Sequence, residues 1–183
     1  MNAVYITNVT PLLNKEVYNY YYDRVSQQRK QKADGLKYIA DKARCVGAGA
    51  VLRFAVEECT PYNFDELELL KTESGKPYVK NNPFYFSLSH SGDYAVCVIS
   101  DTPVGIDIEL DKPLADSMQK RFAKNILEWT KKEAKGKLTG VGFFDKSETD
   151  YVYTHKKTDG YIITVCSDKT IDNFFEYHLP FPC

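Results

Sequence analysis

The sequence predicts an α+β fold, and three observations carry that expectation. Helical and strand-like patterns alternate irregularly along the chain, not as a regular βαβ series. Several strand-like runs come in hairpin-like pairs, such as Phe84–Leu88 followed by Tyr94–Ser100. One long stretch, Arg44–Val56, keeps helical spacing, with Val46, Val51, Phe54 and Ala55 on one side.

In chain order, Ala3–Thr7 reads as the first strand, closed by Pro11. From Asn14 the residues Val17, Tyr20, Tyr21 and Val25 recur at spacings of three and four, which predicts a helix. Between Arg24 and Arg44 stand seven bases (Arg24, Arg29, Lys30, Lys32, Lys37, Lys42, Arg44) and two acids (Asp34, Asp41), a local net of +5 on a chain of net charge −1. This stretch is either a solvated helix pair or a phosphate-binding patch, since Arg and Lys give charge-assisted donors to phosphate oxygens. Gly47 and Gly49 would weaken the Arg44–Val56 helix in isolation, so they point to close packing or close ligand approach. Phe64–Leu70 reads as a strand or short helix, and Thr72–Pro77 and Asn81–Pro83 as turns. Ser89–Asp93 reads as a polar loop between two strands, and Val104–Leu110 as the next strand. A helix from Pro113 or Ser117 to Ile126 follows, then a second around Trp129. Val141–Phe144, Tyr151–His155, Tyr161–Cys166 and Asn173–His178 have the look of short strands.

Composition bounds the function. With 183 residues the chain can bury a sizeable core. A net charge of −1 gives no general affinity for polyanions, and nucleic acid is not an expected partner. The five cysteines are odd in number, widely spaced and without a Cys-x-x-Cys, which argues against a disulfide frame or zinc site and for a reducing cytoplasm. The opening residues lack the basic start and apolar run of a signal peptide, and no window approaches a membrane span.

The chemistry concentrates in Gly105-Ile106-Asp107-Ile108-Glu109 and in the helix carrying Glu133. On a strand, Ile106 and Ile108 share one face while Asp107 and Glu109 share the other, roughly 7 Å apart. On a helix, Trp129, Glu133 and Lys137 lie along one face. Three carboxylates that converge would offer an all-oxygen site for a hard divalent cation, Mg²⁺ above all when phosphates complete the shell.

Two further stretches precede these: Gly75-Lys76-Pro77, then Phe86-Ser87-Leu88-Ser89-His90-Ser91-Gly92. In this order the four resemble the signature of the phosphopantetheinyl transferases of the long, Sfp type, over about two thirds of the chain. The resemblance implies two similar α/β halves packed as an intramolecular pseudo-dimer, with residues 1–106 supplying nucleotide-binding groups and 107–183 the metal and catalytic groups. It implies a monomer that moves the phosphopantetheine arm of coenzyme A onto a serine of an acyl or peptidyl carrier protein with Mg²⁺ or Mn²⁺. A relative that binds coenzyme A or the carrier without catalysis is the alternative.

By resemblance, Asp107, Glu109 and Glu133 are the metal carboxylates. Glu133 is the leading base, directly or through a metal-bound water, and Lys132 and Lys137 reach the pyrophosphate. Arg29, Lys32 and Arg44 match cations for the ribose phosphate, and Lys76, Pro77, Ser89 and His90 match residues that line the adenine and phosphates. Trp129 is a packing anchor. Relatives carry a longer connection before the tryptophan. Here only Ala123–Glu128 span it, a shortening that bears on carrier choice.

Overall fold

The computed structural model describes residues 1–142 and 149–180. It is built in four layers, helix, sheet, sheet and helix. Strand β1 (Asn2–Asn8) leads into helix α1 (Lys15–Arg24), whose first N–H groups are capped by the Asn14 side chain. Helix α2 (Gln27–Asp34) is capped by Ser26, and α3 (Ile39–Cys59) begins five residues before the Arg44 expected from sequence. The hairpin β2 (Leu69–Lys71) and β3 (Pro77–Val79) encloses the expected Thr72–Pro77 turn. Then come β4 (Tyr85–Ser91), β5 (Tyr94–Ser100), β6 (Gly105–Leu110), α4 (Asp116–Arg121), α5 (Ile126–Thr139), β7 (Val152–Thr158), β8 (Tyr161–Ser167) and β9 (Phe174–Glu176).

The first sheet has the order β4-β5-β1-β9, with β1 parallel to β9 and the other pairs antiparallel. A second sheet has the order β6-β8-β7, antiparallel throughout. Alternation along β5 divides the core. Ala95, Cys97 and Ile99 face α1 and α3, while Val96 and Val98 join Val4, Ile6, Ile106, Ile108, Ile163 and Val165 between the two sheets. Helix α5 covers the far face of the second sheet. In α3 the glycines serve packing: a Cβ on Gly47 would lie 2.3 Å from Val9 Cγ1, and one on Gly49 2.6 Å from Val25 Cγ1.

Three sequence expectations change. Ser89–Ser91 are not a loop but the end of β4, paired with Val96, Ala95 and Tyr94, so the turn shrinks to Gly92 and Asp93. The helix expected to reach Ile126 stops at Arg121, and Ile126 instead opens α5, because Asn125 caps that helix by accepting from Glu128 N–H. The Phe64–Leu70 stretch divides into a 3-10 turn at Phe64–Glu66 and strand β2. The strand expected over Val141–Phe144 falls partly outside the described residues. Among the described residues no helix is long and apolar enough to cross a membrane.

Candidate active site

Strand β4 is an edge of the first sheet and β6 an edge of the second, and the two edges lie side by side. With Phe86 and Leu88 packed toward α3, the intervening serines face β6. Ser87 Oγ accepts from Ile106 N–H (3.2 Å), Ser89 Oγ donates to Asp107 Oδ1 (2.9 Å) and Ser91 Oγ donates to Glu109 Oε2 (2.9 Å). The period of two that sets Ile106 and Ile108 into the inter-sheet core therefore aims Asp107 and Glu109 at α5 and the seam. Asp107 is not on a solvated face: it is 3% exposed.

Helix α5 brings the opposite wall. Gly105 lets it approach, since a Cβ there would sit 1.9 Å from Ala134 O. Lys137 Nζ donates to Asp107 Oδ1 (2.7 Å) and Ser89 Oγ (2.8 Å). Trp129, two turns earlier on the same face, lies within donor reach of Glu109 and lowers its carboxyl slightly. It also meets Phe122 edge to face, with centroids 6.2 Å apart, so it both anchors the helix and holds a carboxylate.

The seam opens into a cleft of about 620 Å³ lined by Asp107, Glu109, Glu133 and Lys137 and by Arg29, Lys32, Lys76, Pro77, Ser89 and His90. These are ten of the twelve residues singled out from sequence. Lys132 is not among them. One residue from Glu133, it is turned about 100° round the helix, and its ammonium donates to the Phe122 carbonyl at the end of α4. Arg44 is also off the lining; it pairs with Asp41 (2.5 Å) and donates to Gly92 O (3.1 Å) under the β4–β5 turn.

Burial, then the charge of Asp107, pushes the carboxyls of Glu109 and Glu133 above the usual range, while Lys137 pulls both back. His90 is pushed down to about 4 by the protein around it and by Lys32, Arg29, Lys137 and Arg44, so its imidazole is neutral at physiological pH. Burial alone lowers Lys76 to about 8, and its ammonium donates to Val104 O (3.3 Å) and Leu138 O (3.0 Å). Lys76 thus ties the β2–β3 turn to β6 and to the carbonyl end of α5, where a cation is favoured.

The three carboxylates share one cleft but form no ready-made cage: among the described residues no three His, Cys, Asp or Glu side chains are clustered to hold a metal. The donor set nevertheless suits a hard cation. Asp107 Oδ2 is buried with no hydrogen-bond partner, and the Asp107 charge raises the carboxyls of both Glu109 and Glu133. Mg²⁺ needs few protein ligands, because it keeps waters and takes phosphate oxygens.

Sequence reasoning missed Ser87 and Ser91. The signal was present, as serines at 87, 89 and 91 with Leu88 and His90 between them keep strand alternation through the stretch read as a loop.

The family model described as "4'-phosphopantetheinyl transferase, N-terminal" matches residues 13–102. The 4'-phosphopantetheinyl transferase psf-1 of Bacillus pumilus is 31% identical over 137 residues, covering 64% of this chain and 59% of that protein. Sfp of Bacillus subtilis (strain 168) is 26% identical over 142 residues, covering 77% and 59%. The gsp protein of Aneurinibacillus migulanus is 25% identical over 193 residues, covering 85% and 81%. The chain thus spans 59% of the length of the first two relatives. With the four motifs in order and the seam they build, the chain is similar to the phosphopantetheinyl transferases of the Sfp type.

Proposed function

We propose that this protein transfers the phosphopantetheine arm of coenzyme A to a serine hydroxyl of an acyl or peptidyl carrier protein, with Mg²⁺ as the resident cation. The observation that carries the reading is the single cleft whose lining brings three acids (Asp107, Glu109, Glu133) together with three cations (Arg29, Lys32, Lys76). A diphosphate requires both, cations for its oxygens and carboxylates for the metal that bridges them. The names of the relatives support the reaction class.

In this proposal the 1–106 half holds the nucleotide. Arg29 and Lys32 neutralise the ribose phosphate and neutral His90 donates to a phosphate oxygen through one ring nitrogen. The 107–183 half holds the reacting phosphate. Asp107, Glu109 and Glu133 would hold the metal, which when bound neutralises charge on the pyrophosphate. The carrier serine oxygen attacks the phosphorus that bears the pantetheine arm, and the bond from that phosphorus to the bridging oxygen breaks. Adenosine 3',5'-bisphosphate leaves with the bond electrons. The hydroxyl proton passes to Glu133, and Lys137 stabilises charge that develops on the phosphate oxygens.

The test is incubation with coenzyme A, Mg²⁺ and an apo carrier protein, followed by intact mass of the carrier. A gain of one phosphopantetheine group is expected. An unchanged mass with every apo carrier offered overturns the transferase reading, and coenzyme A binding under those conditions marks the chain as the non-catalytic relative.

A further inference from the structure

Glu109 is gripped from two elements that have no covalent neighbourhood with it. Ser91, at the end of β4, donates to its Oε2 (2.9 Å), and the Trp129 indole of α5 lies within reach of the same carboxylate as a second, weaker donor. Indole N–H is a donor only, so both contacts are made by donors to the carboxylate. The Ser91 end of the hairpin is itself seated. Gly92 turns at φ +52°, and a Cβ there would lie 2.0 Å from the Tyr161 hydroxyl. That hydroxyl accepts from Asp93 N–H (3.2 Å), and Arg44 donates to Gly92 O (3.1 Å) from α3. Three elements thus fix where the Ser91 hydroxyl stands.

We infer that Ser91 and Trp129 are positioning residues that set the orientation of Glu109 toward a divalent cation in the cleft, and so set how tightly the cation is held. This rests on the metal reading proposed above. The physical reason is that a carboxylate with two fixed donors has lost its rotational freedom before the ion arrives, so ordering it adds little to the cost of binding. Asp107 is served differently, by Ser89 and by Lys137, whose charge competes with a cation. Glu109 is held by neutral donors only, which orient it without competing.

The experiment is Mn²⁺ binding measured by electron paramagnetic resonance of free Mn²⁺ in the presence of coenzyme A, on the full chain and on Ser91→Ala, Ser91→Thr and Trp129→Phe. Ser91→Ala and Trp129→Phe are expected to bind Mn²⁺ about tenfold more weakly. Ser91→Thr, which keeps the hydroxyl, is expected to stay within about twofold of the unaltered chain. Thermal unfolding without metal identifies any variant that fails to fold, and Trp129→Phe then decides alone. Mn²⁺ affinity unchanged in Ser91→Ala and Trp129→Phe, with tight binding by the unaltered chain, overturns the positioning role and leaves the proposed transfer standing. No Mn²⁺ binding by the unaltered chain removes both.

Discussion

Helices α3 and α5 cap opposite outer faces of the same pair of sheets, yet they are built on opposite terms. Eleven of the 21 residues of α3 are buried, including every position from Cys45 to Leu52, so the helix is enclosed nearly all round by α1, α2 and the first sheet. Only Ile126, Thr130, Ala134 and Gly136 are buried among the 14 residues of α5. A helix enclosed on all sides has no face on which to hold ions, whereas one that buries a narrow stripe can turn Glu133 and Lys137 toward a cleft. The molecule therefore separates cohesion from chemistry by layer. Substitutions in α3 should act on stability, and those along the α5–β6 seam on turnover.

The sharpest way to break this division is Asp107→Ala. It removes the buried oxygen that has no partner and leaves Lys137 unpaired, so transfer to an apo carrier should fall about 10³-fold. A rate within tenfold of the unaltered protein would deny the seam its role. Gly105→Ala probes the join itself. Its methyl group would meet the Ala134 carbonyl, which as backbone cannot move aside cheaply, and the unfolding free energy in urea should drop by about 2–3 kcal/mol. Gly47→Ala is the matching change in α3. Overpacking against Val9 should cost about 1–2 kcal/mol while turnover per folded molecule stays level. A loss of turnover without a loss of stability would show that α3 is not merely structural.

The pH dependence isolates His90. The His90 imidazole takes up a proton near pH 6.5 in the unfolded chain but only near 4 in the folded one. Between those values the unfolded state binds more protons, so stability falls as pH is lowered from 6.5 to 4. In His90→Asn the unfolding free energy should lose part of that slope; an identical slope would mean that His90 is not held neutral. The smallest effect belongs to Lys132→Ala. Its ammonium holds the Phe122 carbonyl outside the cleft, so kcat/KM for coenzyme A should change by less than about threefold, on the order of 0.5 kcal/mol. A large loss would return Lys132 to the pyrophosphate.

Much of this was legible in the residues. The β5 alternation of Ala95, Cys97 and Ile99 against Val96 and Val98 anticipates two cores back to back. The i, i+4 spacing of Trp129, Glu133 and Lys137 puts all three on the face of α5 that meets β6 and the cleft. What failed were properties set by neighbours distant in sequence. Ser89–Ser91 read as a loop because they are polar, but polar side chains suit a strand whose neighbouring edge offers Asp107 and Glu109 as partners. That Asp107 is buried had no local signal either, because nothing near it in sequence announces that β4 and α5 will close over it.

The residues alone dictate the periodicities: which of them share a strand face or helix face, where Asn14 starts a helix, and which motifs carry the resemblance. Only the tertiary structure decided that two sheet edges meet, that Lys137 rests on Asp107, and that Lys132 and Arg44 turn away from the cleft. The reason is physical. Local patterning is written by backbone sterics and spacing within a few residues, whereas the seam exists because two apolar sheet faces bury each other and carry their edges together.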